Sequence, residues 1–283
     1  MTHAIEQRDR WRRAAPRWRA QRDFVRALTA PVSEALLAAT KPESGELWLD
    51  IAAGVGDPAM SLVDRVAPQG SVVMTDLVPD MLRAARENIR AEAGERSGGL
   101  LSVAAAAEAL PLKSVFDGVT CRFGAMFFAD PLTALSEIRR VLAPGGCAAF
   151  VVWADREQNP YFAEMEGALR DVVDDLPIHD PDDPHVFRFS PRDKLAELLR
   201  ATDWVDVSED ETPFTMAVEI SASELWAHTV GLSVEVAGLV EELGAERAAE
   251  LKTIFESRVA RYFPDGTMRM PAVIRLVLAR TPD

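Results

Sequence analysis

The sequence predicts an α/β fold: a seven-stranded, mostly parallel sheet with helices on both faces and an α-helical cap. Three observations lead there. A strand–turn–helix–strand unit runs from Leu47 to Asp76, the layout of a nucleoside-binding half of an open sheet. Two further runs, Phe116 to Phe123 and Cys147 to Trp153, are continuously apolar, as strands covered on both faces are. Helical periodicity fills the gaps, and a long helical tract over 214–263 separates the last two strands.

Taken in order, residues 5–40 read as helices. Trp11, Trp18 and Val25 recur every seven positions, Pro16 divides the segment, and a second helix opens at Pro31. Leu47 to Ile51 is the first strand. Ala52, Ala53, Gly54 and Gly56 form a small-residue turn, where glycine lets a ligand approach the backbone. Asp57 is placed to N-cap the next helix, with Pro58 in its first turn. Val72 to Thr75 is the second strand and ends in Asp76, whose carboxylate can accept both hydrogen bonds of a ribose diol. A helix over Leu77 to Ile89, a loop over Gly94 to Gly99 and a third strand, Leu100 to Ala104, follow.

Phe116 to Phe123 is the fourth strand, Pro131 to Leu142 a helix, Pro144-Gly145-Gly146 a tight turn, and Cys147 to Trp153 the fifth strand. Residues 154–190 are rich in Asp, Glu and Pro, and read as a helix (Tyr161 to Val173) and an irregular lid. Ser190-Pro191 caps a helix with Leu195, Leu198 and Leu199 inward. Trp204 to Val207 is a sixth strand and Ala272 to Ala279 a seventh. Between them, Phe214 to Tyr262 is mostly helical, with a capping box at Ser221 and Glu224.

Composition narrows the function. The chain has 283 residues and a net charge of −14, which argues against a nucleic-acid or membrane-surface binder. No apolar run reaches the length of a membrane span. Cys121 and Cys147 lie in apolar runs and read as buried thiols of a reducing, cytoplasmic compartment. Residues 1–26 are the exception to the acidity, with eight arginines against Glu6, Asp9 and Asp23. They read as a basic helix packed on the domain or on a partner subunit, which leaves a homodimer open.

The Leu47–Asp76 layout suits a dinucleotide or S-adenosylmethionine. Gly54-Val55-Gly56-Asp57-Pro58-Ala59 satisfies the relaxed dinucleotide pattern, but Asp57 at a helix N-terminus would oppose a pyrophosphate. Here Asp50-Ile51-Ala52-Ala53-Gly54-Val55-Gly56 resembles the first motif of class I S-adenosylmethionine-dependent methyltransferases. The later A-E-A-L-P-L-K-S-V-F-D-G-V and E-I-R-R-V-L-A-P-G-G are similar to the small-molecule branch that includes ubiquinone and menaquinone methyltransferases. The resemblance covers Leu47 to Trp153. It implies a Rossmann-like fold and methyl transfer from S-adenosylmethionine, with S-adenosylhomocysteine as product, to a small, apolar or aromatic molecule.

It also implies roles. Asp50, Ala52, Gly54 and Gly56 approach the methionine part, Asp76 holds the ribose, and Leu77 and Met81 flank the adenine. Ala106, Ala107 and Glu108 lie near the ring, and Arg122 and Phe123 near the sulfonium. Ala106 departs from the pattern, because the family carries an acid there that accepts from the adenine amino group. Glu108 is the expected partial substitute. The expected organisation is an N-terminal helical segment over the cofactor pocket (1–45), the cofactor-binding core (46–153), an acidic lid (154–190), completion of the core sheet (191–213 and 264–283) and the helical cap insertion (214–263).

The catalytic group is less legible, because a sulfonium is already activated and needs chiefly alignment and dryness. His179, His185, His228 and Tyr161 are candidate bases. The H-D-P-D-D-P-H stretch reads as a solvated turn rather than a metal site. Three other readings are open: a cyclisation or rearrangement that uses the same cofactor without methyl transfer, an NAD-dependent dehydrogenase, and a non-catalytic partner subunit.

Overall fold

The computed structural model describes residues 2–94, 99–176 and 180–283. The sheet has seven strands: β1 (Leu47–Ile51), β2 (Ser71–Asp76), β3 (Leu100–Ala104), β4 (Phe116–Arg122), β5 (Leu142–Trp153), β6 (Val205–Val218) and β7 (Met268–Arg280). Their order is β3-β2-β1-β4-β5-β7-β6. The β1–β2, β1–β4, β2–β3 and β4–β5 pairs are parallel, and β7 runs antiparallel to both β5 and β6. Chain order reverses direction beside β1, so β1 and β4 open the crevice in which such sheets bind ligands. The central strands are buried on both faces: Trp48, Leu49, Ile51, Val119, Cys121, Ala149 and Phe150 are all essentially inaccessible. Gly118 on β4 leaves the space the Trp48 indole fills, and a side chain there would collide with the ring.

Nine helices accompany these strands among the described residues: α1 (Thr2–Ala20), α2 (Arg22–Thr40), α3 (Ala59–Val66), α4 (Pro79–Ala93), α5 (Pro131–Val141), α6 (Pro160–Val172), α7 (Lys194–Ala201), α8 (Ala222–Leu232) and α9 (Val234–Val259). The cap is α8 and α9, inserted between β6 and β7 as expected. The Ser221–Glu224 capping box opens α8, and Gly244 (φ 73°) kinks α9.

Several expectations need correcting. Pro16 and Pro31 sit inside α1 and α2, and the break falls at Gln21. Burial of Phe24, Val25, Leu28, Val32, Leu36 and Leu37 along α2 outweighs the lost backbone bond. The helix after the glycine turn begins at Ala59, with Asp57 outside it. Pro144-Gly145-Gly146 is not a free turn: it belongs to β5, where Thr281 and Pro282 hydrogen-bond to it. Asp193, not Ser190, stands at the N-terminus of α7.

The largest miss is β6. It runs to Val218, through residues read as the start of a helix. It is the sheet's edge strand, so its outward positions carry Glu, Asp and Thr, and the alternation of a half-buried strand is blurred. Part of the expected 94–99 loop (95–98) and of the lid (177–179) lies outside the described residues.

Candidate active site

The site grows from the C-terminal ends of β1, β2, β4 and β5. After Ile51 the backbone takes positive φ at Ala52 (54°), Gly54 (53°) and Gly56 (106°). Gly56 has a packing reason as well: a Cβ there would press on Ala85 and Ile89 of α4, at 3.1 and 3.2 Å. Gly54 differs, since a Cβ there would meet no atom within 4 Å. Its bare edge faces open space.

Asp76 closes the turn from the other side. Its Oδ2 accepts the Gly54 N–H (3.0 Å) and its Oδ1 the Val78 N–H (2.8 Å). The carboxylate is therefore held by backbone alone, and each oxygen keeps a lone pair for another donor. Burial pushes its pKa up to about 6, against the pull of those two bonds.

Asp50 lies deeper. It is fully buried behind the turn and is absent from the cavity wall. Oδ1 accepts the Thr120 hydroxyl (2.8 Å), whereas Oδ2 has no hydrogen-bond partner. Burial pushes its pKa up to about 7, opposed by the Thr120 bond and the Arg122 charge.

Arg122 occupies the tip of β4. It pairs with Asp57 Oδ2 at 2.8 Å and donates to the Asp57 carbonyl (2.8 Å), Ser33 Oγ (3.2 Å) and Thr29 Oγ1. The guanidinium thus ties α2 to the glycine turn. The carboxylate expected to cap α3 is the one it takes. With its charge matched, Asp57 no longer argues strongly against a bound anion.

These groups border one cavity of about 1030 Å³, at the upper end of the roughly 300–1,000 Å³ usual for a ligand pocket. Of the residues expected at the cofactor, Ala52, Gly54, Gly56, Asp76, Leu77, Met81, Ala106, Ala107, Glu108, Arg122 and Phe123 all line it. Glu108 does not replace the acid missing at Ala106 in any simple way. Its Oε1 accepts the N–H groups of Ala129 and Asp130, at 2.8 and 3.2 Å. The roof over this end is α1: Trp11 meets Trp18 and Phe127 edge-on, at 5.7 and 4.9 Å between centroids. Arg10 pairs with Glu235 of α9 at 2.7 Å.

The other end is walled by rings. Phe123, at positive φ (57°), stacks on Trp153 at 4.3 Å. Phe162 stands edge-on to Trp153 (5.1 Å), and Phe187 and Tyr161 edge-on to Phe162 (5.2 and 5.0 Å). Among the candidate bases, Tyr161 and His185 line the cavity. The Tyr161 hydroxyl lies 3.3 Å from Thr229 Oγ1, and burial pushes its pKa up. The His185 Nδ1 accepts the Phe187 N–H at 3.1 Å.

His228 is misplaced by the sequence reading. It stacks flat on Phe24 (3.9 Å, 6°), meets Gln21 Oε1 at 2.8 Å and does not line the cavity, because that face of α8 packs on α2. His179 lies outside the described residues. Trp153, Phe162, Phe187, Phe127 and Arg188 were missed. Only Trp153 carried a signal, its position at the end of a predicted strand.

Comparison with known proteins agrees with this geometry. The model of the ubiE/COQ5 methyltransferase family matches residues 33–165, from α2 into α6. A malonyl-[acyl-carrier protein] O-methyltransferase of Geobacter sulfurreducens is 32% identical over 72% of this chain and 74% of its own length. A demethylmenaquinone methyltransferase of Thermus thermophilus is 46% identical over 35% of this chain. The match spans only 43% of that relative's length. Among solved structures, the YcgJ protein of Bacillus subtilis shares the fold at a TM-score of 0.55 and 16% identity, over 89% of this chain and 98% of that one. No described helix is long and apolar enough to cross a membrane. A glycine turn closed by a backbone-held carboxylate, on a sheet of this order and with these relatives, places the chain in the S-adenosylmethionine-dependent methyltransferase family.

Proposed function

We propose that this enzyme methylates a small molecule with an apolar or aromatic body. The observation that carries the reading is one continuous cavity with two unlike ends, a backbone-and-carboxylate end and a ring-walled end. Two features favour a nucleoside at the first. Gly54 leaves its backbone open to close approach, and Asp76 has acceptor capacity left on both oxygens. A vicinal diol has two donors to match them. Ala52, Gly54 and Gly56 are assigned to the amino-acid end of the cofactor, with Asp50 behind the turn rather than in contact, Asp76 to its ribose, Leu77, Met81, Ala106, Ala107 and Glu108 to the base, and Arg122 and Phe123 to the sulfur end.

When bound, S-adenosylmethionine supplies an electrophilic methyl group on a sulfonium. The chain's own task is then alignment and exclusion of water. Phe123, Trp153, Phe162 and Phe187 hold a flat or greasy acceptor and keep the reacting space dry. Tyr161, a neutral phenol whose pKa burial raises further, orients a polar group of the acceptor by hydrogen bonding. In domain terms we read 46–153 with 191–218 and 264–283 as the cofactor-binding body, and 1–45, 154–190 and 219–263 as its cover, the boundary expected at 214 moving to the end of β6. The acidic charge and the two unpaired cysteines favour a cytoplasmic enzyme.

The test is to incubate the protein with S-adenosylmethionine and a panel of phenols, quinols and fatty or aromatic acids, and to follow S-adenosylhomocysteine by mass spectrometry. The product should appear with at least one panel member and not without acceptor. Tight cofactor binding with no turnover across the panel would argue instead for a non-methylating use of the cofactor.

A further inference from the structure

Arg188 is 9% exposed and lines the cavity, next in sequence to Phe187 of the ring wall. An arginine this deeply buried is normally paired with a carboxylate, because an uncompensated buried charge is costly. The other buried guanidiniums obey this rule. Arg275 meets Glu211, Glu209 and Asp155 at 2.7, 3.4 and 3.4 Å, and Arg122 meets Asp57 at 2.8 Å.

Among the described residues Arg188 forms no ion pair. Its Nη1 donates to the Phe128 carbonyl at 2.6 Å, and the guanidinium lies 5.5 Å from the Phe189 ring centroid. Among the described residues its Nε and Nη2 find no acceptor, yet neither is sealed from solvent. They therefore keep accessible surface, on a residue that lines the cavity.

Carboxylates of Asp182, Asp183, Asp130 and Glu108 contribute to the field around it from beyond ion-pair distance. Three of these are already engaged. Asp182 pairs with Lys194 (2.8 Å), Asp130 caps α5 through Thr133, and Glu108 accepts the Ala129 and Asp130 N–H groups. None is drawn onto the guanidinium, which keeps donors for a ligand in the cavity that Arg188 lines.

We propose that the acceptor is an acid: an apolar or aromatic body bearing a carboxylate or phosphate that Arg188 receives. This rests on the methyltransferase reading and narrows its substrate class. A guanidinium fork matches either oxyanion with two parallel N–H···O bonds. The rings of Phe187, Phe162 and Trp153 take the rest of the molecule. Arg188 is thus a specificity-determining residue.

The experiment compares acids with neutral counterparts of similar shape: benzoate, 1-naphthoate and decanoate against their amides, and phenyl phosphate against phenol. Binding is read by calorimetry and thermal midpoint, with and without saturating S-adenosylhomocysteine. At least one acid should bind the parent protein about tenfold tighter than its counterpart, as one charged hydrogen-bond pair gives. Whether that member is a carboxylate or phenyl phosphate tells which oxyanion is read. Arg188→Gln should erase the preference while leaving S-adenosylhomocysteine affinity unchanged, and Arg188→Lys should keep part of it.

Without ligand, Arg188→Gln loses the Phe128 hydrogen bond but also an unpaired buried charge, so its thermal midpoint should stay within a few degrees of the parent's. Equal binding of every acid and its counterpart overturns the proposal, as does a preference that survives in Arg188→Gln. A fall of several degrees in Arg188→Gln with acid preference intact assigns the residue to packing alone and also overturns it. Failure of the methyltransferase reading is separately visible, as absence of S-adenosylhomocysteine binding by the parent.

Discussion

The two ends of the cavity recognise by different means. At the glycine end the walls are backbone: positive φ at three alternate small residues, Ala52, Gly54 and Gly56, and a carboxylate fixed by two N–H groups. At the ring end they are side chains that touch chiefly one another, from Phe123 through Trp153 and Phe162 to Phe187. Backbone walls need particular residue types at particular spacings, so they leave a motif. Ring walls need only bulk from several distant segments, and many sequences supply it. The contrast teaches why a cofactor can be read from such a chain while its acceptor cannot.

The sharpest way to break this contrast is Asp76→Ala. It removes both charged acceptors offered to a diol, at about 1.5 kcal/mol each, so S-adenosylhomocysteine affinity should fall about a hundredfold. Phe162→Ala is its counterpart. It should leave that affinity within about twofold while lowering kcat/KM for the acceptor about tenfold, the scale of one aromatic contact. Equal effects of the two on cofactor binding would dissolve the distinction.

The glycines sharpen the comparison further. Gly56→Ala meets both a positive φ and the Ala85–Ile89 wall, and should cost about 2–3 kcal/mol in denaturant unfolding. Gly54→Ala carries only the φ strain, about 1 kcal/mol. Its methyl group enters the cavity, so the main loss should be in S-adenosylhomocysteine affinity.

A pH profile is the next smaller effect. Asp76 must be ionised to accept two donors, and its pKa lies at about 6. Cofactor affinity should therefore rise about tenfold between pH 5 and pH 7, seen by calorimetry. Stability of the unliganded protein should move the opposite way. Asp50 and Asp76 are raised from 3.8 to about 7 and about 6, so the folded state binds more protons than the unfolded chain across that window. Stability contributed by their neutral forms is present at low pH and lost as pH rises through the folded values. Asp50→Asn should flatten the slope. Smallest is Glu235→Gln: the Arg10 pair it breaks is partly exposed, and the loss in unfolding free energy should stay under about 1 kcal/mol.

Legibility in the sequence follows the same physics. Leu47–Ile51 has the predicted bounds because a parallel strand buried on both faces is an apolar run with clear ends; Leu100–Ala104 has them too, although it is an edge strand with Leu101 and Ala104 exposed. β6 was cut short at Val207 because an edge strand of Glu, Asp and Thr carries almost no apolar alternation. Asp57 was assigned to a cap by its neighbours in sequence, but a partner 65 residues away takes its carboxylate. His228 looked available as a base until its helix was packed on Phe24. Nothing in the sequence marks Arg188, since only burial distinguishes it from a surface arginine. Local rules find what the backbone does, and long-range packing decides what the side chains do.

The most direct test of the central claim is a calorimetric titration of S-adenosylhomocysteine into the parent protein and into Asp76→Ala at pH 7.5. The account predicts a saturable heat for the parent and binding about a hundredfold weaker for the variant. No heat from the parent at millimolar ligand, or two identical isotherms, would contradict it.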